Sequence, residues 1–140
     1  MNVIRYRPKL DRMFWILVSV TNLLLLSPIL LLCFDYSGAI WILILSLLFA
    51  DYFFVSPLFG YAELREDSLF IRYGFILKKT IPYNSIRGIK IERKWYSEAM
   101  LSLKNSIEHV TVKYNRFDLT AISVKNNEAF AAELSFRANL

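Results

Sequence analysis

The chain has 140 residues, 56% of them hydrophobic, and a formal net charge of +5. The apolar share exceeds the roughly 45–50% of ordinary soluble domains, and nearly all of the excess lies between Met13 and Phe59. One cysteine, Cys33, excludes an intrachain disulfide and a cysteine-based metal site. The basic balance comes without a basic helix or a stacked-aromatic motif, which argues against a nucleic-acid partner.

Residues 1–12 form a basic segment in which Arg5, Arg7, Lys9 and Arg12 stand against Asp11 alone. Residues 13–59 then hold two apolar runs. Met13 to Phe34 is 22 residues without a charge, about 33 Å as a helix and enough for a hydrocarbon core of about 30 Å. Ala39 to Phe59 carries Asp51 as its sole charge. The four residues between the runs, Asp35 to Gly38, are too few for anything but a turn, so the spacing predicts an antiparallel transmembrane hairpin. Lys and Arg crowd both outer flanks and avoid the turn, which predicts both termini on the cytoplasmic side of a bacterial inner membrane. Trp15 and Tyr52 fall near the inner boundary, Tyr36 and Trp41 near the outer one. A cleaved signal peptide is the rival reading. The first run is too long for it, and a second run follows at once.

Asn22 and Asp51 fall at similar depth in the two runs, roughly 10–14 Å from the inner boundary. They are a candidate intramembrane polar contact that locks the hairpin or joins copies of the chain. An intramembrane acid also raises ion transport, but Asp51 has no charged partner in the spans. Cys33 reads as a small apolar residue of the first run. Pro28 predicts a bend in the first helix, Pro57 the end of the second, and Gly60 the break before the remainder.

Residues 60–140 read as one soluble domain of short alternating segments. Strands are predicted over Tyr61–Arg65, Leu69–Tyr73, Leu77–Pro82, Arg87–Arg93, Leu101–Asn105, Glu108–Tyr114 and Phe117–Val124. Turns fall at Glu66–Ser68, at Tyr83–Ile86 and at Asn115–Arg116. In Glu108–Tyr114, Val110, Val112 and Tyr114 face inward; His109, Thr111 and Lys113 share the other face, so His109 is expected to be exposed. A change of inward parity near Ala121 and Ile122 predicts a bulge in the last strand. Asn126 caps a final helix in which Phe130, Leu134 and Ala138 recur at fourfold spacing. About seven strands and one amphipathic helix predict a curved antiparallel sheet plugged by that helix.

The stretch Leu69-Phe70-Ile71-Arg72-Tyr73-Gly74-Phe75, the Ile81-Pro82-Tyr83 turn before Ile86, and Ile122-Ser123-Val124-Lys125-Asn126 leading into Glu128, Phe130 and Glu133-Leu134 carry a resemblance. From Tyr61 onward the chain resembles the bacterial pleckstrin-homology-like (YyaB-like) family, in which a preceding pair of hydrophobic helices is usual. Val124 stands where a proline is common and Asn126 where an aspartate is common. The resemblance implies an α+β chain: a two-helix transmembrane hairpin, then a PH-like antiparallel sandwich or barrel with a C-terminal capping helix. It implies no site residues. Eukaryotic relatives that bind phosphoinositides place basic residues at the first hairpin; here that hairpin, Arg65-Glu66-Asp67-Ser68, is acidic.

No glycine-rich phosphate loop, paired histidines or nucleophile with a base is present, so the expectation is a non-catalytic protein without cofactor or metal. The candidate lipid or partner patch is Arg93-Lys94-Trp95-Tyr96, extended by Lys78, Lys79 and Arg87: cations beside amphipathic rings suit an anionic headgroup surface. Three residues link Pro57 to Tyr61, a reach of about 10 Å, so the domain would sit on the bilayer and weak contacts would suffice. The expected function is a membrane-tethered scaffold that recruits or senses a lipid, a membrane protein or another copy of itself. An exposed sheet edge is one docking place. A small oligomeric transport component built on the hairpin is the alternative.

Overall fold

The computed structural model describes residues 2–32, 38–99 and 102–140. Cys33, the Asp35-Tyr36-Ser37 stretch, the end of the first apolar run and Leu101 at the start of an expected strand lie outside the described residues. Strand β1 (Ile4–Tyr6) precedes helix α1 (Arg12–Leu32), and helix α2 (Ala39–Val55) follows. Both helices are long and apolar enough to cross a membrane. Pro28 lies inside α1. A 3-10 turn over Ser56–Phe59, with Pro57 in its first positions, extends α2 to Gly60, where the backbone becomes extended.

Six strands and a helix complete the chain after β2 (Tyr61–Leu64): β3 (Ser68–Arg72), β4 (Lys78–Pro82), β5 (Ile86–Arg93), β6 (Ser102–Leu103), β7 (Glu108–Tyr114), β8 (Asp118–Ile122) and α3 (Asn127–Ala138). They form two four-stranded sheets, ordered β1-β2-β3-β4 and β5-β7-β8-β6. All pairings are antiparallel except β6 with β8. Period-two alternation sets the faces: Leu69 and Ile71 of β3 point inward, as do Val110, Val112 and Tyr114 of β7, and all five are buried. Leu64, Ile81, Ile122 and Val124 fill the space between the sheets. Asn126 caps α3 by accepting from Ala129 N at 3.1 Å, and Phe130 and Leu134 of that helix are fully buried in the same core.

Three features depart from the sequence expectations. Charge alone marks residues 1–12 in the sequence, yet Ile4, Arg5 and Tyr6 pair with Leu64, Glu63 and Ala62. Tyr6 also packs edge-on against Phe130 at 5.1 Å. The helical hairpin is thus an insertion between two neighbouring strands of one sheet. No bulge occurs in β8, whose register with β7 runs unbroken from Val110↔Ile122 to Tyr114↔Asp118. Its parity is blurred because Thr120, Ala121 and Ile122 are all buried, so both faces of this central strand are covered. The irregularity lies instead in β5, between Ile86 and Gly88.

Candidate functional site

The insertion is fastened at both ends. At the start of α1, the Asp11 carbonyl accepts from Phe14 N at 3.0 Å, opening the helix. The Asp11 carboxylate reaches across the chain instead, accepting from Ser106 Oγ at 2.6 Å and from Ile107 N at 3.2 Å. At the end of α2, the turn between β3 and β4 closes on the helix. Arg72 donates to the carbonyls of Gly74 (2.8 Å) and Phe75 (3.2 Å) and holds that turn. Phe75 N then donates to Ser56 Oγ at 3.3 Å. The Phe75 ring lies 4.8 Å from Phe59 and 5.8 Å from Tyr52. Ile76, 77% exposed, and Leu77 stand beside it in the turn. Three successive apolar residues at a turn are unusual for a free surface. That signal is legible in the sequence, but Leu77 reads there as strand.

On the other flank, the segment Lys94–Ala99 folds back over the outer face of the second sheet. Lys104 pins it, its amine donating to the Lys94 carbonyl at 2.6 Å and to the Tyr96 carbonyl. Desolvation there lowers the Lys104 pKa from its ordinary value. The segment leaves Trp95 85% exposed. Between it and the hairpin base lies a crevice of about 470 Å³. Its walls are apolar: Met13, Phe14 and Leu17 from α1, Phe53 and Phe54 from α2, and Trp95. Ser97, Ser102 and Lys104 supply polar groups.

The structure divides the basic patch read from the sequence. Arg87 and Arg93 stand near opposite ends of β5, six residues or roughly 20 Å apart at the usual strand rise. Cross-strand pairing puts Arg93 on the face of Ile89 and Ile91, whereas Lys94 turns to the side of Glu92. Lys94 meets Glu92 at 3.5 Å and Glu98 at 3.4 Å and lies 5.7 Å from the Tyr96 ring. Desolvation works against its charge, but the two carboxylates outweigh it and raise its pKa. Lys79 shares the inward face of β4 with Ile81 and donates to the Tyr114 hydroxyl at 2.6 Å. Lys78 is exposed on the opposite face. Of the seven residues, only Lys94, Trp95 and Tyr96 form a cluster, with Trp95 and Tyr96 edge-to-face at 5.7 Å.

His109 is a correction: it is buried, at 2% exposure, and not on a solvated face. Lys94–Ala99 covers that face, which strand parity alone leaves open. His109 Nδ1 lies 3.1 Å from the Ile107 carbonyl, and Nε2 is 4.0 Å from Glu92. Desolvation lowers the His109 pKa from 6.5. Thr111 Oγ1 donates to Glu92 at 2.9 Å, which with the smaller pull of Lys94 lowers the Glu92 pKa. A cavity of about 10 Å³ lined by His109, Glu92 and Thr111 holds about one water and no substrate. Glu63 is likewise buried; Arg5 (3.3 Å) and Arg65 (3.5 Å) bracket it. Among the described residues no His, Cys, Asp and Glu group could hold a metal ion.

Within the hairpin, Asn22 Nδ2 and Asp51 Oδ1 lie 2.9 Å apart. The acidic first hairpin of the β-domain is tied down from the other end of the fold. The Arg65 carbonyl accepts from the Tyr83 hydroxyl at 2.6 Å and from Arg137 at 3.0 Å.

Residues 61–138, more than half of the chain, match the family model of the bacterial PH domain. The chain belongs to that family. Its bacterial PH domain runs from β2 to α3, and β1, from the far side of the hairpin, adds an eighth strand to it. No curated protein and no solved structure matches the chain.

Proposed function

We propose that this bacterial PH domain is a membrane-tethered, non-catalytic recruitment module at the cytoplasmic face of the bacterial inner membrane. The observation that carries the reading is the placement of exposed apolar side chains around the hairpin base. Phe75, Ile76 and Leu77 flank α2, Trp95 flanks α1, and all project beside helices apolar enough to span a bilayer. Aromatic and aliphatic side chains at that level suit the headgroup boundary.

The β1–β2 pairing supports the topology independently. Residues 4–6 and 62–64 lie in one sheet, so the flanks of the hairpin share one side of any membrane that the two helices cross. The basic flanks make that side the cytoplasm. The hydrogen bond between Asn22 and Asp51 gives the intramembrane acid a structural task, and nothing else favours a transport role.

Photo-crosslinking in native membranes tests the reading. A photoreactive residue at position 95 should trap lipid or a membrane protein, whereas the same residue at exposed Phe117, on the β7–β8 turn, should trap neither. Equal trapping at both positions, or recovery of the full chain in buffer without detergent, overturns it. Lys94→Ala with Trp95→Ala should lower partner recovery.

A further inference from the structure

We infer that the crevice at the hairpin base is a binding site for one anionic phospholipid from the surrounding leaflet. The inference rests on the membrane-tethered reading and adds to it a site and a ligand class. About 470 Å³ falls within the range of small-molecule sites, ~300–1,000 Å³. Its walls continue the lipid-facing surface of the helices: Met13, Leu17 and Phe53 are exposed on the helices and also line the crevice. An acyl chain can pass from the bilayer into the crevice without leaving apolar surroundings.

The polar end sets the headgroup. Lys104 has three N–H donors; two serve the Lys94 and Tyr96 carbonyls, which are neutral. It makes no ion pair with any described residue. One donor therefore remains for a phosphate, and the carboxylate that acts on the charge from a distance, Glu92, makes no ion pair with it. Ser97 and Ser102 add hydroxyls on the same lining. Trp95 stands at the same site with its ring in the open, suited to the headgroup level. Lys94 contrasts with it, because two carboxylates already answer its charge. An apolar slot ending in a cation that forms no ion pair with a described residue matches a diacyl phosphate ester better than a protein segment, which would have to bury polar backbone against Met13 and Phe53.

The test uses the full chain released from lipid nanodiscs of phosphatidylglycerol or of phosphatidylcholine into native mass spectrometry. The expected result is one retained phosphatidylglycerol per chain, with at least a tenfold preference over phosphatidylcholine. Inorganic phosphate at millimolar concentration should not displace it; displacement would mean a phosphate site without a lipid, against the inference. Lys104→Gln should remove the preference. Met13→Trp, which fills the crevice from an exposed position, should abolish retention while leaving far-ultraviolet circular dichroism and melting temperature unchanged. Equal retention of both lipids, or retention unaffected by either variant, would mean annular lipid only and overturns the inference. So does a protein held in place of lipid. A chain that stays in the membrane but retains no lipid sinks this inference alone; a chain soluble without detergent sinks the membrane reading with it.

Discussion

Asn22 Nδ2 donates to Asp51 Oδ1 at 2.9 Å, and the same amide also donates to the Val18 carbonyl at 3.0 Å. One side chain thus joins a turn of its own helix to the facing helix. Interhelical polar contacts in apolar surroundings contribute about 0.6–2 kcal/mol. Asn22→Leu leaves the acid without its donor and should destabilise the hairpin more than Asp51→Leu, after which Asn22 still serves Val18. The double variant should recover part of the loss. Unfolding in mixed micelles, read as a double-mutant cycle, checks this; zero coupling would show that the contact does not hold the helices together.

Gly74 has φ +121, and a Cβ there would fall 1.8 Å from Ser56 Oγ and 3.1 Å from the Ser56 carbonyl. Backbone strain and collision with the end of α2 both oppose a side chain. Gly74→Ala should cost about 1–3 kcal/mol and loosen the turn that carries Ile76. Gly88 meets open space, so Gly88→Ala should change thermal stability by no more than about 0.5 kcal/mol. Comparable losses at the two positions would show that the turn does not need to approach Ser56.

His109 and Glu92 set the acid limb of stability. Burial lowers the folded-state pKa of His109 below 6.5, so the unfolded chain takes up the proton first as pH falls. Its contribution is fully present above about pH 6.5 and is lost as pH drops through the lowered folded value. Glu92, held below 4.5 mainly by Thr111, contributes above about 4.5 and is lost at lower pH still. Melting temperature should therefore fall in two stages. His109→Gln should flatten the first stage and leave the second; an unchanged profile would mean that the histidine titrates freely.

The alkaline limb belongs to Tyr73. Its hydroxyl lies 2.8 Å from Thr120 Oγ1, bridging the two sheets. Burial pushes its pKa up to about 12, against an opposing contribution from the Thr120 hydrogen bond. The unfolded chain loses this proton first, so the stabilisation is present below about pH 10 and is lost as pH rises toward 12. Tyr73→Phe should remove that loss and cost about 1 kcal/mol at neutral pH. Spectrophotometric titration of the phenols should show one fewer late-titrating group.

Much of this architecture is written in local pattern. Two apolar runs, with Asp51 their sole charge, separated by four residues admit only a helical hairpin, and Leu69/Ile71 or Val110/Val112 announce strand faces because pleat parity is a property of neighbours in the chain. Asn126, Phe130 and Leu134 announce the capping helix in the same way. Ile4 and Tyr6 alternate with Arg5 and Arg7, but nothing local says that their partners lie beyond a hairpin, at Leu64 and Ala62. Nor can parity reveal that Lys94–Ala99 covers His109. The pairing of Asp11 with Ser106, and the crevice that brings Met13 and Phe53 beside Lys104, join residues far apart in sequence. Such contacts form only when whole faces assemble. They depend on how sheets and helices share buried surface, which no short window of sequence contains.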